Sequence, residues 1–84
     1  KTSGSTFKNP IKQTDKKVWE LIRDSVSLDV KFGDACISEK HANFFVNKGN
    51  ATFYDMKKLI DFVSESVFKK TGISIEKEIK ILEN

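Results

Sequence analysis

The residues near the start of the chain that could do chemistry form the run Gly4-Ser5-Thr6-Phe7-Lys8-Asn9-Pro10. Ser5 follows a glycine, which lets the backbone approach a ligand closely. Lys8 and Asn9 offer a cation and an amide, which suit anions and polar groups. Pro10 ends the extended run, because proline has no N–H to donate to a sheet. Considered alone, this run is an ordinary strand that enters a loop.

Two further polar runs are candidates for the same site. His41, the single histidine, lies within the run Ser38-Glu39-Lys40-His41-Ala42-Asn43-Phe44. Glu78 lies within the run Ile75-Glu76-Lys77-Glu78-Ile79-Lys80-Ile81, whose alternation predicts a strand with buried isoleucines and outward carboxylates. The simpler explanations are a turn histidine and a solvated carboxylate paired with a nearby lysine, a pairing of little energetic value.

Hydrophobic periodicity predicts the elements that position these residues. We expect a strand over residues 2–8, a polar loop over residues 9–16, and a helix that is capped by Thr14 or Asp15 and ends near Asp24. This helix buries one apolar face, comprising Val18, Ile22 and part of Trp19. Residues 28–34 are ambiguous, apart from a turn at Gly33.

The second half of the chain has clearer signals. Short strands are predicted over residues 35–38 and 43–47, with a turn at Gly49-Asn50. Thr52 and Asp55 resemble a capping box, and Gly72 suits a left-handed helix end, so a long helix lies between them. The order β-α-β-β-α-β predicts an α+β fold, a two-layer sandwich with helices on one face of a largely antiparallel sheet. We expect most of the aromatic residues to be core, namely Trp19, Phe44, Phe45, Phe53 and Phe62.

Length, cysteine count and charge limit the kinds of protein to which this chain can belong. The 84 residues suit one domain, over residues 1–84, and no apolar run is long enough to span a bilayer. Cys36 is the only cysteine, which excludes an internal disulfide and a zinc pattern and indicates the cytoplasm. The first 20 residues hold five basic and two acidic side chains, whereas the rest are balanced, so the net charge of +3 surrounds the first motif. Such a surface suits a phosphate-bearing ligand or nucleic acid, or is simply solvated.

Together, the three runs in this order resemble the C-terminal, substrate-binding domain of the UDP-N-acetylenolpyruvoylglucosamine reductase family. The resemblance covers essentially the whole chain, and the flavin-binding part of the family is expected upstream of Lys1. It implies a bacterial, cytoplasmic oxidoreductase of peptidoglycan synthesis, in which NADPH reduces FAD and the substrate is UDP-N-acetylglucosamine enolpyruvate. FAD and NADPH are expected to be held mainly outside these residues, and oligomeric state is left open.

The resemblance also implies roles for individual residues. Ser5 is similar in placement to the family's proton donor, and Glu78 matches the second glutamate of a Glu-Pro-Glu-Val-Arg pattern, which belongs to the catalytic site. Asn9 corresponds to a substrate-site asparagine, and the basic Lys8 beside it suits the diphosphate of a UDP-sugar. His41 lies in a segment that resembles a substrate-lining one, so it is expected to contact the uridine or a phosphate.

Two other classes of function remain. The element order, the basic N-terminal region and the phenylalanines are typical of a small RNA-binding module. However, the run His41-Ala42-Asn43-Phe44-Phe45-Val46 lacks the basic and glycine residues of such a strand, and Phe44 and Phe45 are adjacent and so face opposite sides. A purely structural interaction domain is the third possibility. The sequence upstream of Lys1 would discriminate among the three, since a flavin-binding domain there supports the reductase.

Overall fold

The structure is a computed structural model that describes residues 2–78. It contains strands β1 (Thr2–Ser5), β2 (Lys31–Phe32), β3 (Ala35–Ile37) and β4 (Phe44–Asn47), and helices α1 (Val18–Ser25) and α2 (Phe53–Thr71). The strands form one antiparallel sheet in the order β1-β4-β3-β2. This arrangement confirms the predicted α+β fold, with a short additional strand in the segment that the sequence left ambiguous.

Helix α2 has the ends that its sequence predicts. Thr52 Oγ1 accepts a hydrogen bond from the Asp55 N–H at 3.0 Å, and the Thr52 N–H donates to Asp55 Oδ2 at 3.0 Å, which completes a capping box. Gly72 has φ 76° and its N–H donates to the carbonyl of Phe68, as expected for a left-handed cap. Within the described residues, no helix has both the length and the apolar character needed to cross a membrane.

Helix α1 begins later than predicted, at Val18 and not after Thr14 or Asp15. The Lys17 N–H donates to Glu20 Oε1 at 2.8 Å, and the Val18 N–H donates to Asn9 Oδ1 at 2.9 Å. These side chains satisfy N–H groups that the first turn leaves unpaired. A cap supplied by Asn9, nine residues earlier in the chain, cannot be read from local sequence, so the predicted start was wrong.

The segment before β3 is a hairpin. Residues 31 and 32 pair with 36 and 35, which leaves Gly33 and Asp34 as a two-residue turn. Gly33 has φ 59°, a backbone conformation that favours glycine in turns of this kind. The predicted turn at Gly33 is therefore confirmed, and β2 adds the edge strand.

The core lies between one face of the sheet and the two helices. Its sheet side includes Ala35, Ile37 and Phe45, while the helices contribute the buried apolar residues Val18, Leu21, Ile22, Leu59, Ile60, Val63 and Val67. The opposite face of the sheet carries Cys36, Phe44 and Val46, which are only half-buried. We call this the open face.

The prediction that the aromatic residues are core was wrong for most of them. Phe45 is buried, but Phe44 is half-buried and the three others remain exposed by more than a third, namely Trp19, Phe53 and Phe62. In a domain this small, the helices have too little neighbouring structure to cover every large side chain.

The last described segment is extended. Ile75 is buried and Ile73 partly so, whereas Ser74, Glu76 and Glu78 are exposed, which agrees with the predicted alternation. Within the described residues the segment contributes an isolated antiparallel bridge between Phe7 and Lys77. Ile79 and Ile81, which were predicted to continue the strand, lie outside the described residues.

Candidate functional site

Ser5 lies at the end of β1, on the open face of the sheet. It pairs with Phe44 of β4, and residues directly opposite each other in an antiparallel pair project from the same face. Because Phe44 is half-buried on the open face, the Ser5 hydroxyl projects away from the helices. Ser5 is itself only partly buried. A ligand lying on the open face could therefore reach its hydroxyl.

Glu78 is joined to the residue that follows Ser5. The Glu78 N–H donates to the carbonyl of Thr6 at 2.8 Å, and the Lys8 N–H donates to the carbonyl of Glu76 at 2.8 Å. These two bonds flank the bridge between Phe7 and Lys77 and hold the segments side by side. The structure thus places the backbone of Glu78 beside the residue that follows Ser5, although Ser5 and Glu78 are 73 positions apart in sequence. The Glu78 side chain is exposed.

Lys8 and Asn9 continue from Ser5 into the basic loop, and both are exposed. Asn9 Oδ1 is already engaged by the Val18 N–H, so this side chain caps α1. Its amide nitrogen makes no hydrogen bond within residues 2–78 and can still donate to a ligand. The predicted substrate contact of Asn9 therefore stays a prediction, with the amide nitrogen as the donor.

His41 is connected to the Ser5 region through aromatic contacts. Its ring centroid lies 4.8 Å from that of Phe44, the partner of Ser5, and 6.3 Å from that of Trp19. His41 Nδ1 accepts the N–H of Asn43 at 3.1 Å, so a neutral ring carries its proton on Nε2. A cleft of about 360 Å³ beside the ring is lined by residues that include Trp19, Arg23, Leu28 and His41.

The charges around the site are mainly basic. Lys8, Lys12, Lys16 and Lys17 are exposed along the loop that follows Ser5. Beside the cleft, the guanidinium of Arg23 stacks over Trp19 at 5.0 Å and donates a hydrogen bond to the carboxylate of Asp24, which lowers the pKa of Asp24. Among the described residues no cluster of three or more histidine, cysteine or acidic side chains could hold a metal ion.

Comparison with known proteins decides the family. A sequence model described as "UDP-N-acetylenolpyruvoylglucosamine reductase, C-terminal domain" matches residues 1–82. The chain belongs to this family.

Several curated reductases of this name are similar to the chain. That of Pelagibacter ubique is 77% identical over 82 residues, which cover 98% of this chain and 27% of that protein. That of Rickettsia massiliae is 47% identical over 81 residues, covering 95% and 26% respectively. That of Rickettsia typhi is 44% identical over 80 residues, also covering 95% and 26%. The chain thus spans about a quarter of the length of these relatives.

Two residues of this reductase-family domain were not recognised from sequence. Asn43 is buried, and its side chain hydrogen-bonds to the backbone of Phe7. The side chain of Gln13 makes two hydrogen bonds with the backbone of Ser74. These two bonds connect the basic loop to the segment that leads to Glu78. A polar residue before a strand usually indicates a turn. No local signal distinguishes an amide side chain that bonds to a distant backbone.

Proposed function

We propose that this domain forms the substrate-binding side of an NADPH- and FAD-dependent UDP-N-acetylmuramate dehydrogenase. That enzyme would reduce UDP-N-acetylglucosamine enolpyruvate to UDP-N-acetylmuramate in bacterial peptidoglycan synthesis. Membership of the reductase family supports the activity, and the single structural observation that carries the site is the pairing of Glu78 with Thr6, directly beside Ser5. A cytoplasmic location and FAD and NADPH sites mainly outside these residues stay predictions.

The proposed chemistry assigns a proton transfer to Ser5. The FAD would supply the hydride that adds to the enolpyruvyl double bond, and charge would then develop on the carbon next to the substrate carboxylate. That carbon needs a proton, which a positioned hydroxyl can deliver. A free serine is a weak acid, so neighbouring groups must stabilise the alkoxide or return a proton to it. Glu78 is the proposed partner, since it can polarise or protonate the same enolate.

The remaining residues hold the substrate. Lys8 and the amide nitrogen of Asn9 are proposed to contact the diphosphate, because a cation and an N–H donor suit phosphate oxygens. His41, with Nε2 as its donor, is proposed to contact the uridine or a phosphate. The open face of the sheet supports this arrangement, since Ser5 and His41 both lie against Phe44 there.

The decisive experiment is Ser5→Ala in the complete reductase, followed by rapid-mixing absorbance of the flavin. NADPH should still reduce the flavin at a near-normal rate, because that half-reaction precedes the need for a proton from Ser5. Reoxidation by the enolpyruvyl substrate should slow by ~10²–10⁴-fold, the usual contribution of general acid–base catalysis.

Ser66→Ala is the matched control, because Ser66 is a helix α2 serine whose hydroxyl donates to the carbonyl of Phe62. Both of its half-reactions should keep their normal rates. If Ser5→Ala slows both half-reactions equally, the flavin is misplaced. If it slows neither, Ser5 has no part in the mechanism.

A further inference from the structure

Asn43 makes an unusual set of contacts with the segment that follows Ser5. The residue is only 5% exposed. Its Oδ1 accepts the Phe7 N–H at 3.0 Å and its Nδ2 donates to the Phe7 carbonyl at 3.0 Å, so the amide pairs with the backbone as a second peptide group would. The Asn43 carbonyl also accepts the Thr6 N–H at 2.8 Å.

The course of β4 explains why an amide side chain is needed here. The pairing of β1 with β4 ends at Ser5 and Phe44, and the chain then turns at residues 41–44, where the Phe44 N–H donates to the His41 carbonyl at 3.0 Å. Because β4 does not extend beyond Phe44 in this direction, it cannot pair with the backbone of Phe7. Leaving the N–H and C=O groups of a buried residue unpaired is unfavourable, and the Asn43 amide satisfies both groups of Phe7.

The opposite edge of the same segment carries Glu78. The carbonyl of Thr6 accepts the Glu78 N–H, and Phe7 bridges to Lys77. The Phe7 ring is buried and packs edge-to-face on Phe45, with centroids 6.0 Å apart. The backbone of residues 6–8 therefore lies between Asn43 on one edge and residues 76–78 on the other. A shift of this backbone would move Ser5 relative to Glu78.

We infer that Asn43 is a positioning residue, which holds the backbone of residues 6–8 so that Ser5 and Glu78 keep a fixed spatial relation. The catalytic consequence of this inference rests on the proposed function, whereas the contacts of Asn43 are independent of that function. It also links His41 to the site, since the Asn43 N–H donates to His41 Nδ1. The side chain and backbone of Asn43 thus contact the segment that follows Ser5 and the segment of His41. Residues 6–8 connect Asn43 in turn to the segment of Glu78.

The test compares Asn43→Asp and Asn43→Ala in the complete reductase. Asn43→Asp keeps the shape but sets a carboxylate oxygen against the Phe7 carbonyl, and Asn43→Ala removes both hydrogen bonds. We expect flavin reduction by NADPH to stay within twofold and reoxidation by substrate to slow by about 10-fold to 100-fold, the scale of a misplacement of roughly 1 Å at a reacting group.

A matched control lies at the other end of β4. The side chain of Asn47 also bonds to backbone, accepting the N–H groups of Gly49 and Ala51 and donating to the Ala51 carbonyl. Asn47→Asp should leave both half-reactions within twofold. Amide hydrogen exchange gives a readout independent of turnover: the Asn43 variants should lose protection at Thr6, Phe7 and Lys8, while Asn47→Asp should not.

The outcomes separate the inference from the proposed function. If Ser5→Ala slows reoxidation but the folded Asn43 variants do not, the positioning role is overturned and the proposed function stands. If Ser5→Ala has no effect, the proposed function fails, while lost protection at residues 6–8 would still support the structural part of the inference. If both Asn43 variants unfold, or slow both half-reactions equally, Asn43 serves the core alone and the inference is wrong.

Discussion

The Glu78 carboxylate projects from an extended segment whose backbone, and not its side chain, is bonded to the Ser5 motif. An exposed glutamate contributes little to folding, so its role can be tested without disturbing the fold. The neighbouring Glu76 provides a matched comparison. Glu76 is also exposed and lies two residues away, but its backbone carbonyl bonds to the N–H of Lys8, whereas the backbone N–H of Glu78 bonds to Thr6.

We expect Glu78→Gln in the complete reductase to leave substrate affinity within a few-fold and to lower kcat by roughly 10²-fold or more. The amide keeps the size of the side chain but cannot donate a proton as an acid does. Steady-state kinetics with varied substrate measures both quantities. Glu76→Gln should be near normal, and a normal kcat for Glu78→Gln would identify Glu78 as a surface carboxylate.

At the scale of elements, the β2–β3 hairpin and helix α2 meet at one point. A Cβ added to Gly33 would lie 2.5 Å from Asp55 Oδ2, the same oxygen that accepts the Thr52 N–H in the capping box. The glycine thus allows both the left-handed turn and a close approach to the helix N-terminus. Gly72 has a similar backbone, with φ 76°, but a Cβ there would meet no atom within 4 Å.

Gly33→Ala should therefore destabilise the domain more than Gly72→Ala. Alanine in the left-handed backbone conformation should lower the free energy of unfolding by about 1–2 kcal/mol at either position. At Gly33 alone, overpacking against Asp55 should lower it by roughly a further 1–3 kcal/mol. Urea unfolding of both variants measures the difference directly. Equal losses would mean that the Asp55 carboxylate moves aside without cost and that the capping box does not constrain the hairpin.

At the scale of the whole molecule, two features stand out: one face of the sheet is not covered by helices, and the chain is much shorter than its relatives. The sheet packs its helices on one side, while the other side presents half-buried apolar residues beside Ser5. The chain spans about a quarter of the relatives' length. The sequence also contains no phosphate-binding glycine motif of the P-loop or dinucleotide type. We propose that the open face contributes the substrate side of a larger site.

The 84-residue chain alone is therefore expected to bind a UDP-sugar weakly and FAD not at all. Calorimetric titration with UDP-N-acetylglucosamine and, separately, with FAD tests both expectations. Lys8→Gln should weaken the UDP-sugar further, because it removes a charge next to Asn9, whereas Lys69→Gln in the last turn of α2 should not. Tight stoichiometric binding of FAD would contradict the assignment of this domain.

Local signals in the sequence were sufficient for much of this protein. The capping box at Thr52, the left-handed end at Gly72 and the strands around Ala35 and Phe45 were all predicted, because each depends on residues a few positions apart. The joint occurrence of the three polar runs also indicated the family that the comparison confirmed.

Only the tertiary structure decided how those runs are joined. The start of α1 depends on Asn9, the position of Glu78 on its bond to Thr6, and the course of residues 6–8 on the buried amide of Asn43, which is 36 residues from its partner Phe7. The exposure of Trp19, Phe53 and Phe62 likewise depends on what lies over each ring. The physical reason is the same in each case. Periodicity and capping are local, whereas hydrogen bonds between distant segments and the coverage of a side chain are determined by how the folded elements pack.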